Sequence, residues 1–305
     1  MRVFVTGASG HVGGALLPDL LAAGHQVVAL ARSDASEAAL VAAGAEVRRG
    51  SLDDLDTLGD AAASADGVIH LAFDNAQMLA GNYDGAVASD LRAVEALGDA
   101  LLGSGKPFVS TSGTLMLTFA GLDRVGTEAD TVAAGPRVDA ENAVIALAAR
   151  GVRSSIVRLP PTVHSPLDRH GFVPILIATA REQGVSAHVG DGANRWPAGH
   201  TLDAARLYRA ALEQAPPGSR LHAVGDEGIE LRTIAETIGR HLDLPVRSIP
   251  SDASAEHFGS LGLLVMLDNP TSSAATQQLV DWHPTEVGLI DDLDRGHYFA
   301  PIAGA

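Results

Sequence analysis

Met1-Arg2-Val3-Phe4-Val5-Thr6-Gly7-Ala8-Ser9-Gly10-His11-Val12-Gly13 opens the chain. Val3, Phe4 and Val5 make the short β-branched and aromatic run of a strand buried on both faces of a parallel sheet. Helical spacing of Ala15, Leu16, Leu17, Leu20 and Leu21 begins directly after the last glycine. The order is strand, tight turn, helix. Gly7 permits the sharp turn, Gly10 lets the backbone approach a pyrophosphate, and Gly13 lets the helix pack close to the strand. The free amides of the helix N-terminus then face phosphates. Glycines alone are weak evidence, but here the strand before them and the helix after them agree.

Working outward, strand and helix keep alternating. Residues 26–31 read as a second strand, 34–43 as a helix and 45–49 as a third strand, with Asp53 placed to cap the helix running toward Ala63. Residues 67–72 form a fourth strand, in which His70 reads as a packed strand-end residue. The helix over 83–102 sets Val87, Leu91, Val94, Leu97 and Leu101 on one face. A fifth strand, 106–114, ends in the hydroxyls of Ser110, Thr111 and Ser112. The helix 136–150, with Pro136 in its first turn, leads to a sixth strand, 155–159, that stops at Pro160-Pro161. This alternation predicts an α/β protein, a Rossmann-type doubly wound parallel sheet over residues 1–160.

Beyond Pro161 the composition turns to loops and shorter helices, including 174–183 and 231–241, with Arg195, Trp196 and His200 in a polar loop. Residues 161–305 read mainly as a smaller C-terminal substrate-binding cap. The helix 203–213 and the strand 221–224, within 201–225, return to the sheet. Trp196 and Phe119 are candidates for lining an apolar substrate pocket.

The end of the second strand bears on the cofactor. Folds that select NAD place an acid there, which bonds the ribose hydroxyls and repels a 2′-phosphate. Here the strand ends Ala31-Arg32-Ser33 and the acid is displaced to Asp34. A guanidinium fork beside a hydroxyl holds a phosphate by charge-assisted bonds, so NADP(H) is expected ahead of NAD(H).

Composition sets outer limits. With 46% hydrophobic and 19% charged residues the chain is a packed globular protein. A net charge of -16 repels phosphate backbones and anionic membrane surfaces, leaving a small molecule as the expected partner. Cysteine is absent, which removes disulfides and thiolate nucleophiles. The first strand starts at once, without the apolar run of a signal peptide, and the apolar stretch 173–180 is too short to span a bilayer. A cytoplasmic protein is the expectation. The histidines are dispersed along the chain without an H-x-x-x-H pair, so no metal is expected.

The chain resembles the extended short-chain dehydrogenase/reductase family, which includes sugar-nucleotide epimerases and dehydratases. The resemblance runs through T-G-A-S-G-H-V-G at 6–13, V-I-H-L-A at 68–72, S-T-S at 110–112, I-V-R-L-P-P at 156–161, H-T-L-D-A-A at 200–205 and L-V-D-W-H-P at 279–284. It implies cofactor contacts from Gly7, Ser9, Gly10, His11, Val12 and Gly13, from Arg32 and Ser33, from Leu52, from Leu71, Ala72 and Phe73, and from Pro160. It also implies a homodimer through the helices around 83–102 and 136–150.

In that family a tyrosine acts as general acid/base, a lysine four residues later lowers its pKa, and a serine or threonine binds the substrate oxygen. Ser112 matches the serine. The other two have no match, because Lys106 is the sole lysine and the tyrosines are Tyr83, Tyr208 and Tyr298. Aligning the helix through Glu141 puts Arg137 in the lysine's place and Ala133 in the tyrosine's. Arginine holds ribose hydroxyls but relays no proton. The catalytic residues expected are Ser112 and Arg137, with Tyr83, His164 and His200 as candidates for the missing proton donor. The functions in view are an NADP(H)-dependent oxidoreductase of the short-chain type acting on a small carbonyl or alcohol, a non-catalytic NADP(H) sensor, and a cofactor-dependent epimerase or isomerase.

Overall fold

A computed structural model describes residues 1–300; the last five residues of the expected cap lie outside the described residues. The chain begins β1 (Arg2–Thr6), α1 (His11–Ala22), β2 (Gln26–Ala31), α2 (Asp34–Ala42) and β3 (Glu46–Arg49). It continues α3 (Leu55–Ser64), β4 (Gly67–His70), α4 (Asn75–Leu79), α5 (Tyr83–Asp99), β5 (Pro107–Gly113), α6 (Leu115–Phe119), α7 (Val138–Ala146) and β6 (Arg153–Leu159). Then come β7 (Thr162–His164), α8 (Phe172–Gln183), β8 (Ser186–Val189), β9 (Arg195–His200), α9 (Thr201–Gln214) and β10 (Ser219–His222). The remainder is β11 (Asp226–Glu230), α10 (Leu231–Leu242), β12 (Val246–Ile249), α11 (Ser254–Phe258), α12 (Ala274–Val280) and α13 (Leu289–Asp294).

Seven strands form one parallel sheet in the order β10-β6-β5-β4-β1-β2-β3. The expected doubly wound sheet is therefore present, with β10 added at its edge. Alternation along β1 builds both layers. Val3 and Val5 pack with Leu16 and Leu20 of α1 and with Leu207, Tyr208 and Leu212 of α9. Phe4 turns to the other side, joining Leu58, Leu97, Val144 and Ile156 from α3, α5, α7 and β6. Burying aliphatic and aromatic groups on both faces is the main stabilising term for such a sheet.

A separate core holds residues between and after those strands. Val173, Ile177, Trp196, Ile234, Leu289 and Leu293 pack together there, under a three-stranded sheet β11-β9-β7 and a two-stranded sheet β12-β8. Among the described residues no helix is long and apolar enough to cross a membrane.

Three local expectations are corrected. Asp54, not Asp53, caps α3, accepting from the Thr57 N–H at 3.3 Å, while Asp53 accepts from Ser89 at 2.7 Å and from Arg92 at 3.0 Å. One residue of register decides which carboxylate meets the free amide. Pro136 lies outside its helix, because Arg137 takes a left-handed φ of 63° and α7 starts at Val138. Arg195, Trp196 and His200 belong to β9 and not to a polar loop. The indole of Trp196 is fully buried, which removes it from any substrate pocket.

Candidate active site

The strand order reverses between β1 and β4: β2 and β3 lie on one side of β1, and β4, β5 and β6 on the other. Beyond the carboxyl ends of these strands, where ligands of doubly wound sheets bind, opens a cleft of about 430 Å³. Its floor is the glycine turn. Gly7 has φ 74°, and a Cβ there would meet Ala72 N at 2.7 Å. A Cβ on Gly13 would meet the Gly7 carbonyl oxygen at 2.2 Å, so only glycine lets α1 sit this close to β1. At the start of α1, Gly10 provides no side-chain cap and the first turn holds no acid. The free amides there are open to an anion, which fits a pyrophosphate.

Gly7, Ser9, Gly10, His11, Val12, Gly13, Arg32, Ser33, Leu52, Leu71, Ala72 and Phe73 all line this cleft. Pro160 is buried, and its neighbour Leu159 supplies the lining at that strand end. The Arg32 side chain is 68% exposed and stands 3.8 Å from Asp74. The Ser33 hydroxyl caps α2, accepting from the Ser36 N–H at 3.2 Å. His70 braces the floor from below, pairing Nδ1 with the Thr6 hydroxyl at 2.7 Å and Nε2 with Asp90 at 3.2 Å. His11 bonds the Thr201 hydroxyl at 2.7 Å. Burial, with His164 and His200 nearby, lowers the His11 pKa to about 4, so its imidazole is neutral at physiological pH.

At the β5 end, strand alternation sends Thr111 and Ser112 to opposite faces. Thr111 lines the cleft, and its hydroxyl bonds the His70 carbonyl and the Tyr208 hydroxyl, each at 2.8 Å. Ser112 is buried, its Oγ turned toward the Glu141 carboxylate without completing a hydrogen bond of good geometry. Burial alone would raise the Glu141 pKa, but the guanidiniums of Arg158 at 2.6 Å and Arg220 at 2.8 Å hold it below the ordinary carboxylate range.

Arg137 stacks over the ring of Phe73, 4.1 Å from its centroid, which brings a cation to the cleft wall. Ala133, in the place of the family's tyrosine, is exposed. Tyr83 stands exposed at the start of α5; partial desolvation raises its pKa while the Arg137 charge opposes the rise. His164 and His200 are not part of the cleft lining. Their rings meet edge to face, 5.2 Å apart, and a second cavity of about 120 Å³ opens beside them. The expectation of dispersed histidines is corrected here, because β7, β9 and α13 gather His164, His200 and Asp292. Thr111 is one of the strand-end hydroxyls expected to face the site, and it lines the cleft although no cofactor contact was expected of it by name. Asp292 gave no sequence signal, lying 128 residues from its partner His164.

Residues 3–129 match the family described as "NAD dependent epimerase/dehydratase family". An uncharacterized protein of Schizosaccharomyces pombe is 46% identical over 301 residues, spanning 98% of this chain and all of the relative. A 2-alkyl-3-oxoalkanoate reductase of Stenotrophomonas maltophilia is 31% identical over 230 residues, 72% of this chain and 67% of that protein. The solved structure of dTDP-glucose 4,6-dehydratase from Streptomyces venezuelae, with NAD bound, superposes with a TM-score of 0.75 at 19% identity, over 98% of this chain and 97% of the other. That superposition bears on the fold, while sequence identity carries the relationship. The chain belongs to the NAD-dependent epimerase/dehydratase family.

Proposed function

We propose that this protein is an NADP(H)-dependent oxidoreductase that reduces a small carbonyl substrate, with 161–305, apart from the returning segment 201–225, as the cap over that substrate. The observation that carries the reading is the course of the cleft. It runs from the exposed Arg32 guanidinium, past the uncapped amides of α1, to Phe73 beneath Arg137. Arg32 suits a 2′-phosphate, and the amides suit the pyrophosphate. The resemblance to a reductase of 3-oxo acids supports a carbonyl as the reacting group.

A bound nicotinamide supplies the hydride. The protein's part is to hold the carbonyl and return a proton to its oxygen. Ser112, at the end of β5 and lacking a hydrogen bond of good geometry, is assigned to the carbonyl oxygen as the counterpart of the family's serine, and Arg137 to the ribose. Tyr83 is assigned as proton donor: of the three candidates, His164 and His200 line the other cavity and not the cleft, while Tyr83 stands at the start of α5.

Ser112→Ala, Thr111→Val and Tyr83→Phe test these roles. Ser112→Ala and Tyr83→Phe should each lower turnover by about two to four orders of magnitude, as expected for losing a positioned acid–base or oxygen-binding group. NADPH affinity should stay within about threefold, well below the tenfold that 1.4 kcal/mol represents. Normal turnover of Ser112→Ala together with loss in Thr111→Val would move the carbonyl to the other hydroxyl.

A further inference from the structure

Away from the dinucleotide cleft, three elements far apart in sequence place ligand-type side chains together. His164 comes from β7, His200 from the end of β9 and Asp292 from α13. Each offers one ligand atom, and those atoms lie within 4.8 Å of one another. All three residues are buried, at 1%, 5% and 0% exposure. Buried polar atoms are ordinarily satisfied, yet His164 Nε2 and Asp292 Oδ1 have no hydrogen-bond partner among the described residues. The cavity of about 120 Å³ beside them is lined by His164 and His200, and also by Asp203, Asp226 and Glu286. The pocket is thus rich in carboxylates, of which Asp203 and Glu286 are paired with Arg206, and the cluster beside it keeps one nitrogen and one oxygen without a partner.

We infer that His164, His200 and Asp292 form a binding site for a divalent first-row transition ion, with a vacant coordination position facing the cavity. The donor set is two imidazoles and a carboxylate, which suits such ions and not the oxygen-only shells of calcium or magnesium. The spacing agrees. His164 Nδ1 and Asp292 Oδ2 are 2.9 Å apart, near the roughly 3.3 Å between neighbouring ligands of a tetrahedral ion with bonds of about 2.0–2.1 Å. The ion would displace the proton they share, so binding releases a proton and involves no change of oxidation state. The fourth position is left for water or a substrate oxygen.

The experiment uses the full chain, stripped with chelator and then freed of it. Zn²⁺ is titrated by calorimetry and Co²⁺ by visible absorption. One ion per chain is expected, with d–d bands of a four-coordinate nitrogen/oxygen site and a Tm that rises with Zn²⁺. His200→Gln and Asp292→Asn should each weaken binding by about tenfold or more. His283→Gln, at an exposed histidine paired with Asp281, should leave it unchanged. No stoichiometric binding, or binding that the cluster variants leave intact, overturns the site. Should both cluster variants fail to fold, the wild-type Co²⁺ spectrum decides, and an absence of d–d bands overturns it.

Discussion

The Arg137 guanidinium lies 4.1 Å from the centroid of the Phe73 ring, and its own backbone is left-handed at φ 63°. Phe73 lines the cleft beyond the sheet, so the stack ties the start of α7 to the cleft wall. A left-handed φ costs a non-glycine residue on the order of 1 kcal/mol or more. Arg137→Gly and Arg137→Ala lose the same side chain, but only glycine relieves that backbone. The glycine variant should be more stable than the alanine variant by about 1 kcal/mol in denaturant unfolding. Both should lose turnover. Equal stabilities would mean that the left-handed turn is unstrained.

Two glycines on α1 should respond in opposite directions. A Cβ on Gly13 meets backbone atoms at 2.2 and 2.6 Å, whereas one on Gly14 meets nothing within 4 Å. Gly13→Ala must push the helix off the strand, so it should cost about 2 kcal/mol or more and abolish NADPH binding. Gly14→Ala should add about 0.5–1 kcal/mol by removing a helix-interior glycine. Thermal melts with and without NADPH measure both, and a tolerated Gly13→Ala would contradict the close packing.

The 2′-phosphate role rests on Arg32. Arg32→Ala should raise the Kd for NADPH by about tenfold, the loss of one charge-assisted contact on an open surface. NADH should bind as before. Arg32→Asp should reverse the preference by adding an acid at the end of β2. Equal losses for both nucleotides would assign Arg32 to the cleft wall and not to the phosphate.

Stability should fall in mild acid because His222 is buried neutral. Its Nδ1 donates to the Ser272 carbonyl at 2.8 Å, and its Nε2 accepts from Arg158 at 3.3 Å. Burial, opposed in part by Glu128, takes its pKa from 6.5 to about 4. The unfolded chain therefore binds a proton near pH 6.5 that the folded chain refuses until about 4. The contribution is complete above pH 6.5 and lost as pH falls through that window, on the order of 2–3 kcal/mol. His222→Gln should flatten the slope of urea midpoint against pH between 7 and 4. An unchanged slope would remove His222 as its source.

The sheet was legible because its central strands carry apolar runs, as at Val3 to Val5 and at Val27 to Ala31. The cleft floor was legible for the same reason, since Gly7 to Gly13 act through local backbone geometry. What escaped depended on contacts distant in sequence or on single-residue register. Trp196 sits in a segment rich in polar residues, and only its packing with Val173 and Leu289 makes it core. The Asp53 and Asp54 roles differ by one step of the chain. Arg137 adopts a conformation that its residue type does not favour, so no propensity argument finds it. His164, His200 and Asp292 converge only in three dimensions.

The central claim is tested most directly by titrating the purified protein with NADPH and with NADH by fluorescence, then following NADPH consumption over a panel of small ketones and aldehydes. The account predicts that NADPH binds at least about tenfold more tightly than NADH, a difference of about 1.4 kcal/mol, and is consumed with at least one carbonyl compound. Tight NADPH binding with no turnover across the panel would contradict the reductase and leave a sensor; failure to bind either nucleotide would contradict the reading of the glycine turn itself.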